Sequence, residues 1–387
     1  MKDMQVSDSV VYVGVDDTTL DLFESQYPIP YGVSYNSYLI FDEKIAVMDT
    51  VDPRGTEEWL KKVKAALGDR KPDYLVIQHL EPDHAGSIGR FAEEYPDMTL
   101  VGNKKTFPML AQFFDLKNQT LTVGEGDTLP LGAHTLQFFM APFVHWPEVM
   151  VTYEQSEKLL FSADGFGTFG ALSREIDWIT EARRYYINIV GKYGAQVQGL
   201  LKKASSLDIA AILPLHGPVL TDDLGYYIGK YLTWSSYEPE EKGVVIAYAS
   251  LHGNTARAAK RFAEILREKG EKNVAVFDLN RDDMSAVIEY AYRYDRLVLA
   301  SVTYDGALFP SMEDFLYHLK IKSFQKRTVG YIQNGSWGPI SAKFMKAHIA
   351  QMKDITEVEP VVTIRSSLSD ASIAELEALA DALTAQS

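Results

Sequence analysis

Seven side chains in this sequence are of types that bind metal, and they stand where a folded chain can bring them together. His79, Glu81, Asp83 and His84 lie within six residues in the stretch YLVIQHLEPDHAGS (74–87), where a short apolar run empties into imidazoles and carboxylates. Packing does not explain such a cluster, because each group would need its own polar partner if buried. His145 follows the apolar run Leu136–Met140 in APFVHWPE, Asp164 follows Lys158–Phe161 in LLFSADGFG, and His216 closes ILPLHGP. A lone strand-end histidine before Pro or Gly is more often a turn residue than a ligand. Four histidines and three carboxylates, all just past strand-like runs, point instead to one shared site. Divided between two ions with one carboxylate bridging, such donors without a thiolate suit iron or manganese. His134, His318 and His348 have no such company and read as surface or core residues. Asp49, which ends a strand-like run, could support the ligands from behind.

A second constellation lies in the last third of the chain. Ser250, Leu251, His252, Gly253, Asn254 and Thr255 leave a strand-like run and open a helix. Hydroxyls, a glycine that allows close backbone approach and helix-terminal amides make a phosphate cradle without a lysine, unlike an ATP-type loop. A capped turn is the plainer reading of that loop alone. Two further loops add weight: Ser301, Val302, Thr303, Tyr304, Asp305 and Gly306 follow one later strand, and Asn334, Gly335, Ser336, Trp337 and Gly338 follow the next. Tyr304 and Trp337 are aromatics on small, polar loops, suited to flanking a planar ring. No G-x-G-x-x-G follows a strand, which weakens a dinucleotide alternative.

The elements that must carry these groups change in grammar along the chain. Strand-like runs at Val10–Val15, Ser34–Phe41 and Lys44–Met48 precede a helix at Thr56–Leu67, with acidic residues in its first turn and Gly68 as its stop. A strand at Tyr74–Gln78 delivers the ligand-rich loop. Helices at Ile88–Glu94 and Thr106–Phe114 flank a strand at Thr99–Gly102, and several strands follow between Thr120 and Phe161. Glu175–Ser206 reads as a long helical stretch interrupted near Gly191 and Gly194, leading to a strand at Ile209–Leu213. This first part is an α+β pattern. The polar segment SSYEPEEK (235–242) marks a boundary near residue 240, giving domains of 1–239 and 240–387. Beyond it, strands at Gly243–Ala249, Val274–Leu279, Arg296–Ser301, Thr328–Gln333 and Glu359–Ile364 alternate with helices near 255–269, 283–293, 311–320, 339–352 and 370–384. Five such units call for a parallel α/β sheet covered on both faces, with ligands at the carboxyl ends of its strands.

Composition narrows the function classes. The 387 residues are 46% apolar and 24% charged, enough for two cores, and 53 acidic against 38 basic residues leave a net charge of -15. That balance argues against nucleic acid or an anionic membrane as partner. No run approaches 18 uncharged apolar residues and no signal-peptide pattern opens the chain, so a cytoplasmic location is expected. The absence of cysteine excludes disulfides, thiolate zinc sites, cysteine-ligated iron–sulfur clusters and a rubredoxin module within the sequence.

The order His79-x-Glu81-x-Asp83-His84, then His145, Asp164 and His216, resembles the metallo-β-lactamase-like domain of the flavodiiron proteins, and Gly32–Ile40 (GVSYNSYLI) looks like that family's N-terminal pattern. The three later loops resemble those by which flavodoxin binds FMN. The resemblance spans essentially the whole chain and implies an αββα metallo-β-lactamase-like sandwich followed by a flavodoxin-like, doubly wound five-stranded sheet. It further implies that His79, Glu81 and His145 hold one iron, Asp83, His84 and His216 the other, and that Asp164 bridges them. Hydrolases of this fold usually carry histidine where Glu81 stands, and an anionic ligand there favours a redox diiron pair. The implied activity is reduction of O2 to water, of NO to N2O, or both, with electrons from FMN. An external donor such as rubredoxin or a reduced deazaflavin would feed it, and a head-to-tail homodimer or dimer of dimers would join the two sites. Protons would arrive through water or nearby groups, Tyr193 among the candidates, and His252 could meet the flavin or a partner's metal domain. Two rivals stand beside this reading: a metal-dependent hydrolase with a regulatory flavodoxin-like domain, and an FMN electron-transfer protein with a vestigial metal site.

Overall fold

The computed structural model describes residues 6–385, which fold into two compact units. One runs up to Tyr186 and resumes over Ala195–Leu232; the other takes Ile187–Gly194 and the described residues from Thr233 onward.

The first unit is built on two sheets. Six strands pair in the order Val10–Tyr12, Tyr38–Ile40, Ala46–Met48, Tyr74–Val76, Thr99–Asn103 and Thr120–Val123; five more pair as Thr128–Pro130, Thr135–Met140, Met150–Glu154, Leu159–Phe161 and Ala211–Leu213. Tyr38, Ile40, Met48, Val76 and Val101 of the first sheet interlock with Leu136, Phe138, Met150, Phe161 and Leu213 of the second in one apolar core. Alternating inward side chains on both sheets produce such a sandwich. Helices Thr56–Leu67 and Ile88–Glu94 bury Trp59 and Phe91, whose rings lie 4.8 Å apart. The αββα arrangement expected of this half is present. Both sheets contain parallel neighbours: Ala46–Met48, Tyr74–Val76 and Thr99–Asn103 in one, Leu159–Phe161 and Ala211–Leu213 in the other. Parallel strands bring their carboxyl ends to one edge, so the loops after Met48, Val76, Phe161 and Leu213 can meet.

The helical stretch expected over 175–206, with an interruption near Gly191 and Gly194, is interrupted there. Helix Trp178–Tyr185 passes through a π-helical stretch at Tyr186–Val190 and a short 3-10 turn at Gly191–Tyr193 before helix Gly194–Ala204. Within the second unit, Lys322 Nζ donates to the Asn188 carbonyl at 2.7 Å and Asn188 Nδ2 to the Ser285 carbonyl at 3.2 Å, so that segment is tied into it. A helix not anticipated from the sequence covers Leu224–Ser235.

The second unit has a parallel sheet ordered Val274–Asp278, Glu241–Ala249, Tyr294–Tyr304, Gln325–Asn334, with Lys353–Glu357 and Val362–Ile364 sharing the last edge. This is the 2-1-3-4-5 order of flavodoxin-like sheets. The fifth expected strand, Glu359–Ile364, is shorter and preceded by another, because Pro360 has no N–H for the ladder. The third strand runs past Ser301 to Tyr304 and turns back through Asp305 and Gly306, with φ of 48° and 70°, to pair with Ala307–Leu308. Two successive positive φ values are what an Asp-Gly hairpin turn supplies.

Candidate metal centre and the cradle of the second unit

Asp49 shapes the first ligand segment without touching an imidazole nitrogen. Its carboxylate accepts from Gln78 N at 2.7 Å and Gln78 Nε2 at 2.8 Å, fixing the backbone that carries His79. Burial pushes its carboxyl up to about 6, against the pull of the Gln78 donors. Glu81 then caps a one-turn helix, Pro82–Ala85, with proline at its first position. The loop that follows the strand therefore ends at Glu81. Asp83 and His84 ride on a helical turn, with His84 N and Ala85 N donating to the Glu81 carbonyl at 2.9 and 2.8 Å.

The GVSYNSYLI segment turns out to hold His216. His216 Nδ1 lies 2.7 Å from the Ser34 carbonyl, and Gly217 N donates to Ser34 Oγ at 2.7 Å. Asn36 Nδ2 donates to the carbonyls of Pro214 and Gly217, both at 2.8 Å, and Asn36 N to that of Leu215. Gly217 has φ of 82°, and a Cβ there would come 2.1 Å from Thr168 Cγ2, so the residue after His216 must be glycine. Asp164 sits in a turn between Ala163 and Phe166, both left-handed at φ 49° and 67°. That turn is held by Gly165 N to the Ser162 carbonyl, by Gly167 N to the Asp164 carbonyl, and by Phe166 N donating to the Tyr231 hydroxyl at 2.6 Å.

All seven expected ligands meet in two groups, His79, Glu81, His145 and Asp164 in one and Asp83, His84 and His216 in the other. In the first, Glu81 Oε2 lies 3.3 Å from His79 Nε2 and 2.9 Å from His145 Nε2, and Asp164 Oδ2 is 3.2 Å from both. In the second, Asp83 Oδ2 lies 3.3 and 3.2 Å from the Nε2 atoms of His84 and His216, which are 3.0 Å apart. Asp164 presents its other oxygen, Oδ1, 3.3 Å from His84 Nε2. Neither Asp164 oxygen nor either Asp83 oxygen makes a properly aligned hydrogen bond, although all are buried. Atoms about 3 Å apart that aim at a common point rather than at one another are spaced like adjacent ligands on metal bonds of about 2.1 Å. With Asp164 set aside as the carboxylate that faces both, each group pairs two histidines with one carboxylate, the donor set of non-haem iron. The residues present therefore fit a pair of metal ions.

The electrostatics agree. Burial alone would raise the Asp164 carboxyl, but His79 and His145 outweigh it and hold it well below the usual range. Conversely, burial would lower His145, and the Asp164 and Glu81 carboxylates instead push it up to about 9. The carboxylates draw positive charge to the point where the imidazoles converge, and a divalent cation there would replace those protons.

Three neighbours had no signal in the sequence. Glu148, three residues after His145, places Oε1 2.9 Å from His79 Nδ1; a lone carboxylate in a loop gives no pattern to read. Tyr185 packs its ring 5.4 Å from that of His216, and burial followed by the charges of Asp164, Asp83 and Glu81 keeps its phenol protonated. Tyr193, the candidate from sequence, lies in the 187–194 segment assigned to the second unit. Glu24 stands at a hairpin tip with much of its surface exposed, yet burial of its carboxyl and the charge of Glu81 push it up to about 7.

On the second unit a cavity of about 680 Å³ opens at the carboxyl ends of the strands. It is lined by Ser250, Leu251, His252, Asn254 and Thr255, by Val302, Thr303, Asp305 and Gly306, and by Asn334 to Gly338. Gly253 shapes the first loop from the left-handed region at φ 83°. Ser301 is buried, with its carbonyl accepting from Ser341 Oγ, and Tyr304 sets its ring edge-on against Phe309, 5.4 Å away; neither lines the cavity. Ser366, from a fourth loop, does line it: its Oγ lies 2.6 Å from Ser336 Oγ, and its carbonyl accepts from Asn334 Nδ2. Trp337 is 88% exposed at the rim. An open cradle with hydroxyls at the start of helix Asn254–Glu268 and a free indole beside it suits a phosphate joined to a flat ring.

Residues 33–217 match the family model described as ODP family beta lactamase. A flavo-diiron protein of Clostridium acetobutylicum is 30% identical over 328 residues, covering 81% of this chain and 82% of that protein. A nitric oxide reductase of Moorella thermoacetica is 29% identical over 372 residues, covering 93% and 92%. Among solved structures, the rubredoxin oxygen:oxidoreductase of Desulfovibrio gigas matches with a TM-score of 0.92 at 26% identity, covering 99% of this chain and 98% of that one. A metallo-β-lactamase-like sandwich with a two-metal donor set, followed by a flavodoxin-like sheet, defines a class of two-site redox proteins. The chain belongs to the flavodiiron proteins.

Proposed function

We propose that this chain reduces O2 to water, NO to N2O, or both, at two iron ions supplied with electrons by FMN. The observation that carries the reading is the pair of two-histidine, one-carboxylate donor sets meeting at Asp164. His79, Glu81 and His145 would hold one iron, Asp83, His84 and His216 the other, and Asp164 would span them. When bound, the irons supply two adjacent reducible centres for a diatomic molecule, and the flavin delivers electrons singly or in pairs. The chain's own contribution is placement and dryness. Phe23, Tyr35 and Tyr185 wall His216 with their rings, keeping water from its side of the site. The Tyr185 hydroxyl keeps its proton at neutral pH and can donate a hydrogen bond but not accept a charge.

In the same reading, residues 1–239 form the metal-binding part and 240–387 the flavin-binding part. The Ser250–Thr255 loop would hold the FMN phosphate, and the Ser301–Gly306 and Asn334–Gly338 loops would line its ring, with Trp337 alongside. Electrons would come from a separate donor such as rubredoxin or a reduced deazaflavin. A head-to-tail homodimer, or a dimer of dimers, would bring one chain's flavin to the other's irons. No helix among the described residues is long and apolar enough to cross a membrane, and a cytoplasmic location is proposed.

The test begins with iron and FMN content per chain. The loaded protein, reduced under anaerobic conditions, is then mixed in a stopped-flow instrument with O2 or NO, and turnover is followed amperometrically. Reoxidation of the flavin by at least one gas is expected. Failure with both gases, on protein holding two irons and FMN, overturns the proposal. Bound zinc with thioester or phosphoester hydrolysis would favour a hydrolase, and FMN without iron an electron-transfer protein.

A further inference from the structure

The two donor sets are equal in charge. Each offers two imidazoles and one carboxylate, and Asp164 turns one oxygen to each. Any difference between the two positions must therefore come from what touches the ligands, and there they differ. His79 Nδ1 lies 2.9 Å from Glu148 Oε1, which also accepts from Leu80 N at 2.9 Å. Glu148 is 1% exposed, and its carbonyl is held by Asn103 Nδ2 at 2.5 Å, so this carboxylate has a fixed position. In the other set, His216 Nδ1 meets a neutral acceptor, the Ser34 carbonyl, and His84 Nδ1 has no hydrogen-bond partner among the described residues. Asp49, also a buried carboxylate nearby, bonds the backbone of Gln78 and the side-chain amide of that residue, and no imidazole nitrogen.

A carboxylate on Nδ1–H fixes the tautomer that leaves Nε2 free for metal and makes the imidazole a stronger electron donor. Stronger donation favours Fe3+ over Fe2+. We propose that Glu148 is a positioning residue that makes the two iron positions unequal. The iron held by His79, Glu81 and His145 keeps its ferric state to lower potential, and the iron held by Asp83, His84 and His216 takes the first electron. In a reductive titration one electron from the titrant converts Fe3+ to Fe2+ at the second position, and the next does so at the first. This inference rests on the diiron reading above.

The test is Glu148→Gln, which keeps the volume and an acceptor for Leu80 N while removing the charge. Protein loaded with 57Fe is assayed for iron per chain and titrated with dithionite under Mössbauer and EPR observation. In the wild type, the half-reduced state should show one trapped ferrous and one trapped ferric site. In E148Q one reduction step should move to higher potential while the other stays, and iron affinity at one position should fall by about 10–100-fold. The step that moves must be the one that His145→Asn also alters. Steps that move together, or not at all, or a moved step that H145N leaves alone, overturn the inference. So does a delocalised half-reduced wild type, a measurement that needs no variant to fold. A wild type that binds no pair of irons strikes instead at the diiron reading.

Discussion

Replacing Asn36 by alanine tests whether the N-terminal strand segment is what holds His216 in place. The side chain is fully buried and makes three hydrogen bonds, donating to the Pro214 and Gly217 carbonyls at 2.8 Å each and accepting from the Tyr12 hydroxyl at 3.1 Å. At about 1 kcal/mol net for each bond, Asn36→Ala should cost about 3 kcal/mol, rising if the Gly217 carbonyl finds no other donor. Asn36→Asp has nearly the same shape but sets an oxygen against two carbonyl oxygens, so it should cost more than alanine despite removing fewer atoms. Urea unfolding of the full chain, read as a shift in midpoint at constant slope, measures both. Iron content measured alongside should fall, because in the proposed site the His216 loop supplies one ligand. The reasoning is refuted if N36A lies within about 0.5 kcal/mol of wild type, the range of an ordinary surface change, or if N36D is as stable as N36A.

Tyr231→Phe removes the hydroxyl that accepts from Phe166 N in the Asp164 turn and should cost about 1–3 kcal/mol by denaturant unfolding, the penalty for an orphaned buried donor. Trp337→Ala, at a rim position, should leave apoprotein stability within about 0.5 kcal/mol of wild type. The same change should weaken FMN binding by about 3–10-fold in a fluorescence titration. His134 sits between Asp42 Oδ2 at 2.9 Å and Glu157 Oε1 at 3.2 Å; burial works against its charge, but the two carboxylates hold its pKa above the ordinary value. A raised histidine stabilises fully below its unfolded pKa of about 6.5 and loses that contribution as pH rises through the folded value. The urea midpoint should therefore fall as pH climbs above about 6.5, and His134→Gln should flatten that slope.

What could be read from the sequence was what local chemistry decides. Helices Thr56–Leu67 and Ile88–Glu94 lie where periodicity and the stop at Gly68 put them, because their own residues supply face and cap. Helix Leu224–Ser235 has no legible signal, since LGYYIGKYLTWS, aromatic on most sides and with two glycines, has no clean polar stripe. Asp305–Gly306 is a turn dipeptide legible in the sequence, and it closes a hairpin within the loop expected over Ser301–Gly306. The candidate metal ligands were legible because each is an unusual residue just past a strand, and parallel strands deliver such residues to one edge.

The groups that tune those ligands were not legible, and the reason is physical. Glu148 reaches His79 across 69 residues of sequence, and the Ser34 carbonyl reaches His216 across 182. The second of these acceptors is backbone, which no side-chain pattern can announce, and the first is one acidic residue among 53. A ligand set is constrained by the metal's demand for particular donors, so it leaves a signature in residue type. Its supporting acceptors need only oxygen at the right distance, which any carbonyl, carboxylate or water supplies. Two positions with identical donors can thus be made different by choices that leave almost no mark on the sequence, and the asymmetry between a carboxylate at His79 and a peptide carbonyl at His216 is of that kind.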